Sequence, residues 1–268
     1  MSAHRSAATA AQLDAIAERF VGARRGRTAI VAYPGLPPVT EADAYAIQRH
    51  AISLWPDRVA GWKVGLIPPP FSQQLGRTRL FGPVFSKSVQ TAGEDIIEFV
   101  GIAGGFTAFE AEYVLALGTN VQPATGWTAE RAATVVGAVH VGVEIAGSPF
   151  AGINEHGPLV TISDFGNNAG LLLGAEISGG IAALAHEACT VRIDGAEVGR
   201  GTPASVPGTP LESLAELLNH MGRSGQTLVA GTLVSTGAAT GVHQVFNGQS
   251  AVADFGPQGK ISVRIVEA

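Results

Sequence analysis

The chain has 268 residues, a formal net charge of −5 and a single cysteine, Cys189. With 46% hydrophobic and 15% charged residues it is too apolar to be disordered, and it lacks the positive charge expected of a protein that binds nucleic acid or an anionic membrane. One cysteine excludes an intrachain disulfide. No apolar run reaches the ~18 residues of a membrane span, and the N-terminus lacks the apolar core of a signal peptide. We therefore expect a soluble, cytoplasmic protein with a large core.

Two amphipathic helices are predicted near the N-terminus, over residues 8–22 and 39–55, because apolar residues recur there at helical spacing. Thr40 is suited to cap the second helix, with Asp43 as the acidic partner three residues later. A basic run follows the first helix at Arg24, Arg25 and Arg27. Such a short run fits a solvated helix end better than a phosphate-binding surface.

Short strands dominate the rest of the chain. After a first strand at Val59–Leu66, alternation and turn signals predict strands at 109–117, 138–145, 170–177, 190–193, 232–236, 249–254 and 261–266. Helices are expected at 128–136 and 210–221, the second capped by Thr209 and ended by Gly222. The pattern predicts a small helical N-terminal part, residues 1–88, and a β-rich domain, residues 89–268.

The stretch FTAFEAEYVLALG, residues 106–118, places Glu110 and Glu112 in an otherwise apolar run. In a strand both carboxylates point to one face, while Phe109, Ala111 and Tyr113 point to the other. Two neighbouring carboxylates repel unless they are solvated or share a cation, and Mg²⁺ or Mn²⁺ favours such oxygen ligands. The spacing alone leaves both readings open: a metal site, or a solvent-facing stripe.

A second alternating run, AVHVGVEIAG, adds a third carboxylate. Glu144 and His140 share the face opposite to the valines of this strand. Three carboxylates from two strands form an oxygen-ligand site with positions left for substrate and water. For His140 an ordinary hydrogen-bonded or surface position is favoured over a direct role.

Further candidate residues lie in three short motifs. Lys63 in GWKVG is either a surface lysine or a cation held against an anionic substrate. Asp164 and Asn168 fall in the polar turn ISDFGNNAG, and the small residues of STGAATG, 235–241, have the free backbone N–H groups that can cradle a carboxylate. No phosphate-binding loop and no G-x-S-x-G nucleophile motif occurs.

Taken in order, GWKVGL, FEAEYVLALG, VEIAGS, NAGLLLG and GTPLESLAELLNHMGRSGQTLVAGTLVSTGAATG resemble the 2-keto-4-pentenoate hydratase / 4-oxalocrotonate decarboxylase family of the fumarylacetoacetate hydrolase superfamily. The resemblance runs from about residue 10 to the end of the chain. It implies an α+β fold, a mixed β-roll or barrel of the fumarylacetoacetate hydrolase C-terminal type with a small helical N-terminal part. It also implies a homo-oligomer and a role in aromatic compound catabolism.

The resemblance assigns roles to particular residues. It implies that Glu110, Glu112 and Glu144 ligate Mg²⁺ or Mn²⁺ and that Lys63 points into the active site. Asp164 is a possible general base, and the substrate-binding candidates are Asn168, Thr236 and Thr240. The chain departs from the family after the third ligand, where EIAGSPFAGINEHGP replaces EIVDSRI.DWK. These changes fall near the expected substrate pocket and leave the ligand trio intact.

The reaction implied by the resemblance is hydration of a 2-hydroxy-dienoate or 2-oxo-enoic acid to a 4-hydroxy-2-oxo acid through a metal-bound enolate. An enolate-stabilising site also suits decarboxylation of a 2-oxo diacid of the 4-oxalocrotonate type. Hydrolysis of an acylpyruvate C–C bond ranks third, because no early His-Glu pair is evident near Lys63. A catalytically silent binding or structural homologue is the remaining alternative.

Overall fold

A computed structural model describes residues 9–267 of the chain. The helices are α1 Ala10–Gly26, α2 Glu41–Leu54, α3 Phe71–Leu75, α4 Ala129–Ala133, α5 Pro158–Ser163, α6 Gly180–Leu184 and α7 Thr209–Arg223. The strands are β1 Val59–Leu66, β2 Arg79–Phe85, β3 Val89–Thr91, β4 Ile97–Gly101, β5 Phe106–Leu117, β6 Val136–Ser148, β7 Asn168–Glu176, β8 Cys189–Ile193, β9 Ala196–Gly201, β10 Leu233–Ser235, β11 His243–Gln244, β12 Ser250–Asp254 and β13 Lys260–Glu267.

Two sheets organise these strands. The larger is a mixed eight-stranded sheet in the order β2-β1-β10-β5-β6-β7-β3, with β11 paired to β5. Its long central hairpin, β5–β6, is antiparallel, whereas β1 pairs with β10 in parallel. The smaller sheet has five strands in the order β4-β13-β12-β8-β9. Strands β1 and β2 come before residue 88, where a division between two parts was predicted, and they belong to the same sheet as strands that come after it. The hydrogen bonds of the larger sheet therefore cross that division.

Both predicted N-terminal helices form, and the first extends four residues beyond its predicted end at Gly22, to Gly26. Residue 8, the predicted start of α1, lies outside the described residues, and the helix begins at Ala10 after a capping box between Thr9 and Gln12. The Thr40 cap of α2 is confirmed, since its side chain accepts from the Asp43 backbone N–H at 3.1 Å. Apolar faces of both helices pack into the core, α1 through residues such as Phe20 and α2 through residues such as Ile47.

Two helix predictions need correction. The helix expected at 128–136 ends at Ala133, because the chain turns and enters β6 at Val136, whose long pairing with β5 overrides the local helical pattern. In α7 the N-cap is Gly208, not Thr209, and no side chain of residues 9–267 caps this end. The helix also continues past the predicted Gly222 to Arg223. No helix in residues 9–267 is both long enough and apolar enough to cross a membrane.

Candidate metal centre

The three glutamates meet on one face of the β5–β6 hairpin. Glu110 lies directly opposite Glu144 in the strand register, and Glu112 lies opposite Gly142, one step along the same face. One carboxylate oxygen from each residue lies within 4.8 Å of the others. Glu110, Glu112 and Glu144 are only 6%, 1% and 0% exposed. The alternative that the sequence left open, in which these glutamates form a solvent-facing stripe, is therefore excluded.

Burial makes this cluster electrostatically expensive without a cation. Burial, followed by repulsion from Glu144, raises the pKa of Glu110 to about 8. The pKa of Glu112 is also raised, by burial and then by Glu144 and Glu110. Lys63 Nζ lies 3.4 Å from Glu144 Oε2 and supplies one positive charge. Burial alone lowers the pKa of Lys63, but attraction by the three carboxylates outweighs it and the pKa is raised.

In both Glu112 and Glu144, one carboxylate oxygen accepts hydrogen bonds from neighbouring groups and the other does not. Glu112 Oε2 accepts from Ser235 Oγ at 2.5 Å and from the Gly237 backbone N–H at 2.9 Å. Glu144 Oε1 accepts from Asn168 Nδ2 at 3.0 Å. Within residues 9–267 the second oxygens, Glu112 Oε1 and Glu144 Oε2, are buried and accept no hydrogen bond, and the only cation beside them is Lys63, which pairs with Glu144 Oε2. Oriented carboxylates with unpartnered oxygens fit a hard divalent cation such as Mg²⁺ or Mn²⁺.

A cavity of about 580 Å³ opens beside this cluster, and Lys63 and Glu110 both line it. Apolar residues, among them Val64 and Leu80, form part of its wall, and Gly237, Ala238, Ala239, Gly241 and Val242 form another part. No histidine lies among the described residues of this lining. The volume suits a small organic acid, and Lys63 supplies a positive charge that can offset the carboxylate of such a ligand.

Asp164 lies outside the cavity, in a buried ion pair with Arg24. Arg24 Nε donates to Asp164 Oδ1 at 2.5 Å, and Ser148 Oγ donates to Asp164 Oδ2 at 2.6 Å. The same guanidinium donates to the carbonyl oxygens of Gly147 at 2.7 Å and Asn168 at 2.9 Å. The expectation of a solvated Arg24 is therefore wrong, since its side chain is only 8% exposed. A catalytic role for Asp164 stays a prediction, and its bonds point to positioning.

The threonines of the STGAATG loop also face away from the cavity. Thr236 is fully buried and donates its hydroxyl to the Tyr113 carbonyl at 2.6 Å. Thr240 Oγ1 lies 3.3 Å from His243 Nε2. The loop residues that line the cavity are their neighbours, including Gly237 and Gly241. Direct substrate contacts by Thr236 and Thr240 stay predictions, as does a contact by Asn168, whose amide holds Glu144. His140 stays apart from the trio and contacts the Gly174 carbonyl at 3.3 Å.

The sequence reasoning missed two lining residues. Arg79 is 4% exposed. Asn167 is also 4% exposed, and its buried Oδ1 has no hydrogen-bond partner in the part of the chain that the structure describes. Asn167 has a φ of 65°, a left-handed conformation that asparagine tolerates better than most residues. The dipeptide Asn-Asn before β7 was the available signal for Asn167. For Arg79, the polar context GRTR gave no reason to expect burial.

No family model matches the sequence, and no curated protein matches it. Solved structures do match. The 4-oxalocrotonate decarboxylase from Pseudomonas putida G7, complexed with calcium and acetate, is 22% identical with a TM-score of 0.81, covering 98% of this chain and 100% of that chain. The same enzyme complexed with magnesium and adipate gives 23% and 0.80, with 98% and 100% covered.

A more distant match is fumarylpyruvate hydrolase from Pseudomonas aeruginosa in complex with Mn²⁺ and pyruvate. It is 19% identical with a TM-score of 0.56, covering 80% of this chain and 91% of that chain. At these identities the likeness establishes the fold. The predicted fold class, an α+β protein built on a mixed, curled sheet of the fumarylacetoacetate hydrolase type, is confirmed.

Proposed function

We propose that this chain is a divalent-metal-dependent hydro-lyase of the fumarylacetoacetate hydrolase superfamily, which adds water to a 2-hydroxy-dienoic acid to give a 4-hydroxy-2-oxo acid. The observation that carries the proposal is the buried trio Glu110, Glu112 and Glu144, whose Lys63 ion pair supplies one positive charge for three carboxylates, at the wall of an acid-sized cavity. The resemblance of the sequence to the hydratase family selects hydration among the reactions such a site supports.

The trio would hold Mg²⁺ or Mn²⁺ through one oxygen of each glutamate. When bound, the cation supplies Lewis acidity toward the 2-oxo or 2-hydroxy oxygen of the substrate. Metals in the solved neighbours support this choice, since those structures contain magnesium and Mn²⁺. Ser235 and Asn168 keep the glutamates oriented before the metal arrives, which lowers the reorganisation that binding requires.

The chain's own side chains provide the remaining chemistry. Lys63 Nζ is placed to offset the substrate carboxylate and to give a proton to C5 of the dienol. The proton that leaves O2 restores the charged lysine, and the dienol becomes the 2-oxo-3-enoic acid. Water then adds its oxygen at C4 and its proton at C3. The free Oδ1 of Asn167 is the lining acceptor suited to hold that water. These steps add one water in total and need no further reactant.

The test uses metal-stripped protein, Mg²⁺ or Mn²⁺, and freshly generated 2-hydroxypenta-2,4-dienoate. We expect a metal-dependent loss of the dienol's ultraviolet absorbance and formation of 4-hydroxy-2-oxopentanoate. Glu112→Gln should abolish the metal dependence, whereas Glu98→Gln, an exposed glutamate on β4, should not alter it. Absence of metal-dependent product would overturn the hydratase proposal, and an unaffected Glu112→Gln variant would overturn the trio.

Decarboxylation of a 2-oxo diacid is the second candidate, favoured by the likeness over 98% of the chain to a 4-oxalocrotonate decarboxylase. Incubation with 2-oxo-3-hexenedioate, scored for CO₂, separates it from hydration. Acylpyruvate hydrolysis ranks below both, because the described cavity lining contains no histidine to activate water. Metal binding without turnover of any of these acids would indicate a catalytically silent homologue.

We also propose a cytoplasmic homo-oligomer. Several large apolar side chains are exposed on the single chain, including Val31 at 100% and Phe246 at 58%. Burial of such residues between identical subunits would be favourable. Light scattering coupled to size-exclusion chromatography measures the mass directly, and a mass of about one chain would contradict this assembly.

A further inference from the structure

The cavity beside the metal centre is larger and more apolar than a five-carbon acid requires. Its volume of about 580 Å³ lies in the range of pockets that enclose drug-sized molecules. Apolar residues outnumber polar and charged residues in its described lining, where the charged residues are Lys63, Glu110 and Arg79. A five-carbon dienoic acid bound at the centre would therefore leave apolar wall uncovered.

The apolar wall begins immediately beside Lys63. Gly65 lies on the same face of β1 as Lys63, two residues later, and it pairs with Leu80 of β2. A Cβ added at Gly65 would lie 2.9 Å from Leu80 Cδ1 and 3.3 Å from Lys63 Nζ. The leucine side chain and the ammonium group thus flank the space that the missing side chain of Gly65 leaves open.

Arg79 supplies no charge on this face of the two strands. It pairs with Leu66, one position beyond the pair formed by Gly65 and Leu80, so strand alternation directs its side chain to the opposite face. On that side its Nη2 donates to the Pro207 carbonyl oxygen. Lys63 is therefore the one cation that β1 and β2 direct toward the metal centre.

Two large apolar residues extend this wall to the protein surface. Phe71 on α3 and Val242 both line the cavity, and both are exposed to solvent. The Phe71 ring packs against the backbone at Gly157, where an added Cβ would lie 3.1 Å from Phe71 Cε1. Exposed apolar groups at a cavity are removed from water when a ligand with an apolar part binds there, and their removal is favourable.

We propose that this cavity recognises an uncharged apolar tail, so that the substrate is a 2-hydroxy-dienoic acid that carries an alkyl or aryl group beyond its diene. Leu80 would contact the start of the tail, and Phe71 and Val242 would contact its end. This inference rests on the proposed function for the placement of the reacting end at the glutamate trio. It adds the class of the tail, which the trio and Lys63 do not determine.

An apolar tail also bears on the choice between hydration and decarboxylation. Decarboxylation of the 4-oxalocrotonate type requires a second carboxylate on the substrate, away from its 2-oxo end. A carboxylate desolvated against Leu80 and Phe71 is costly unless a cation pairs with it, and β1 and β2 direct no second cation to this face. An apolar tail has no carboxylate to lose, so this wall favours hydration.

The test compares three unreactive 2-oxo acids by calorimetric titration of the full chain with Mg²⁺ present. They are 2-oxopentanoate, 2-oxooctanoate, which has three more methylenes, and 2-oxooctanedioate, which has the longer chain but ends in a carboxylate. We expect 2-oxooctanoate to bind roughly 50-fold more tightly than 2-oxopentanoate, since each buried methylene contributes about fourfold. The dicarboxylate should bind at least about tenfold more weakly than 2-oxooctanoate.

Replacement of the two exposed residues tests the wall itself. Phe71→Ser combined with Val242→Ser should lower the 50-fold ratio to below about tenfold and leave 2-oxopentanoate binding unchanged. The matched control combines Phe246→Ser with Val229→Ser, which replace an exposed phenylalanine and an exposed valine outside this cavity, and it should preserve the ratio. Because the ratio is measured within each variant, a smaller folded fraction cannot mimic the result.

A ratio near unity for the wild-type chain would overturn the apolar tail, and so would a ratio that the Phe71 and Val242 substitutions leave unchanged. Tighter binding of 2-oxooctanedioate than of 2-oxooctanoate would overturn it as well. Failure of hydration while the ratio persists refutes the proposed function and not the assignment of the tail. Hydration without the ratio refutes the tail alone.

Discussion

Replacement of Arg24 by glutamine should be the most destabilising single change near the candidate centre. Arg24 and Asp164 are 8% and 0% exposed, so water screens their attraction little. Glutamine would leave the Asp164 carboxylate buried, with Ser148 Oγ as its remaining side-chain donor at 2.6 Å. Loss of one partner from a buried ion pair costs about 3–5 kcal/mol. For a domain of this size we expect a fall in Tm of roughly 10 °C.

The same substitution should weaken metal binding. Arg24 Nη1 holds the Asn168 carbonyl at 2.9 Å, and Asn168 Nδ2 holds Glu144 Oε1 at 3.0 Å. A loosened Asn168 no longer fixes one ligand of the trio, and loss of such a supporting contact lowers metal affinity by roughly 10- to 100-fold. Affinity for Mn²⁺, measured by electron paramagnetic resonance at a temperature where the variant is folded, reports this effect separately from stability.

Urea unfolding followed by tryptophan fluorescence measures the stability loss, with Arg25→Gln as the matched control. Arg25 is the next residue in the same helix, but its side chain is exposed, so its replacement should change the free energy of unfolding by less than about 0.5 kcal/mol. Adding Asp164→Asn to Arg24→Gln should recover part of the loss, because it removes the uncompensated charge. A loss below about 1 kcal/mol for Arg24→Gln would refute the ion pair as a structural element.

Three further changes probe other features of the site and core. Ser235→Ala removes the 2.5 Å hydrogen bond to Glu112 and should weaken Mn²⁺ binding roughly 10- to 100-fold; unchanged affinity would show that the bond does not orient the ligand. Gly82→Ala would place a Cβ 2.1 Å from the Phe165 carbonyl oxygen. We therefore expect urea unfolding to show a free energy of unfolding lower by about 3 kcal/mol. A variant as stable as the wild type would contradict the close approach of the Gly82 and Phe165 backbones. Burial and nearby arginines lower the pKa of His220 from 6.5 to about 4. Between these pH values the folded chain binds fewer protons than the unfolded chain. The free energy of unfolding should therefore fall by at most about 3 kcal/mol as the pH drops from 6.5 to 4. His220→Gln should lose that part of the pH dependence, and a variant whose free energy of unfolding changes with pH as in the wild type would exclude His220 as its source.

Local alternation was sufficient to predict the ligand strands. In β5 and β6 the period of two predicted that Glu110 and Glu112 share one face of the first strand and that Glu144 lies on one face of the second. The structure shows that these residues are buried and brings the three together. Alternation works there because both strands are long and central, with one face packed in the core.

Long-range partners were beyond the reach of local patterns. Arg24 was predicted to be solvated at a helix end, because the sequence does not show that the turn bearing Asp164 packs against it. The local sequence around Arg79 is polar and does not indicate burial. The Arg79 side chain is buried because it packs against the distant loop that contains Pro207, whose carbonyl oxygen accepts a hydrogen bond from it. Thr209 carries a good capping side chain, yet it is the first residue of the helix, with a left-handed φ of 68°, and the N-cap position falls to Gly208. In each case tertiary contacts decided the outcome.

The parallel pairing of β1 with β10 has a consequence for how the chain reaches its active form. Lys63 lies directly opposite Ser235 in that register, although the two residues come from distant parts of the chain. The β5–β6 hairpin can form from nearby residues, but the strands that supply its lysine and its serine close only after most of the chain has emerged from the ribosome. A nascent chain thus carries the three carboxylates before it can hold them in place, and tight metal capture should coincide with the last step of folding.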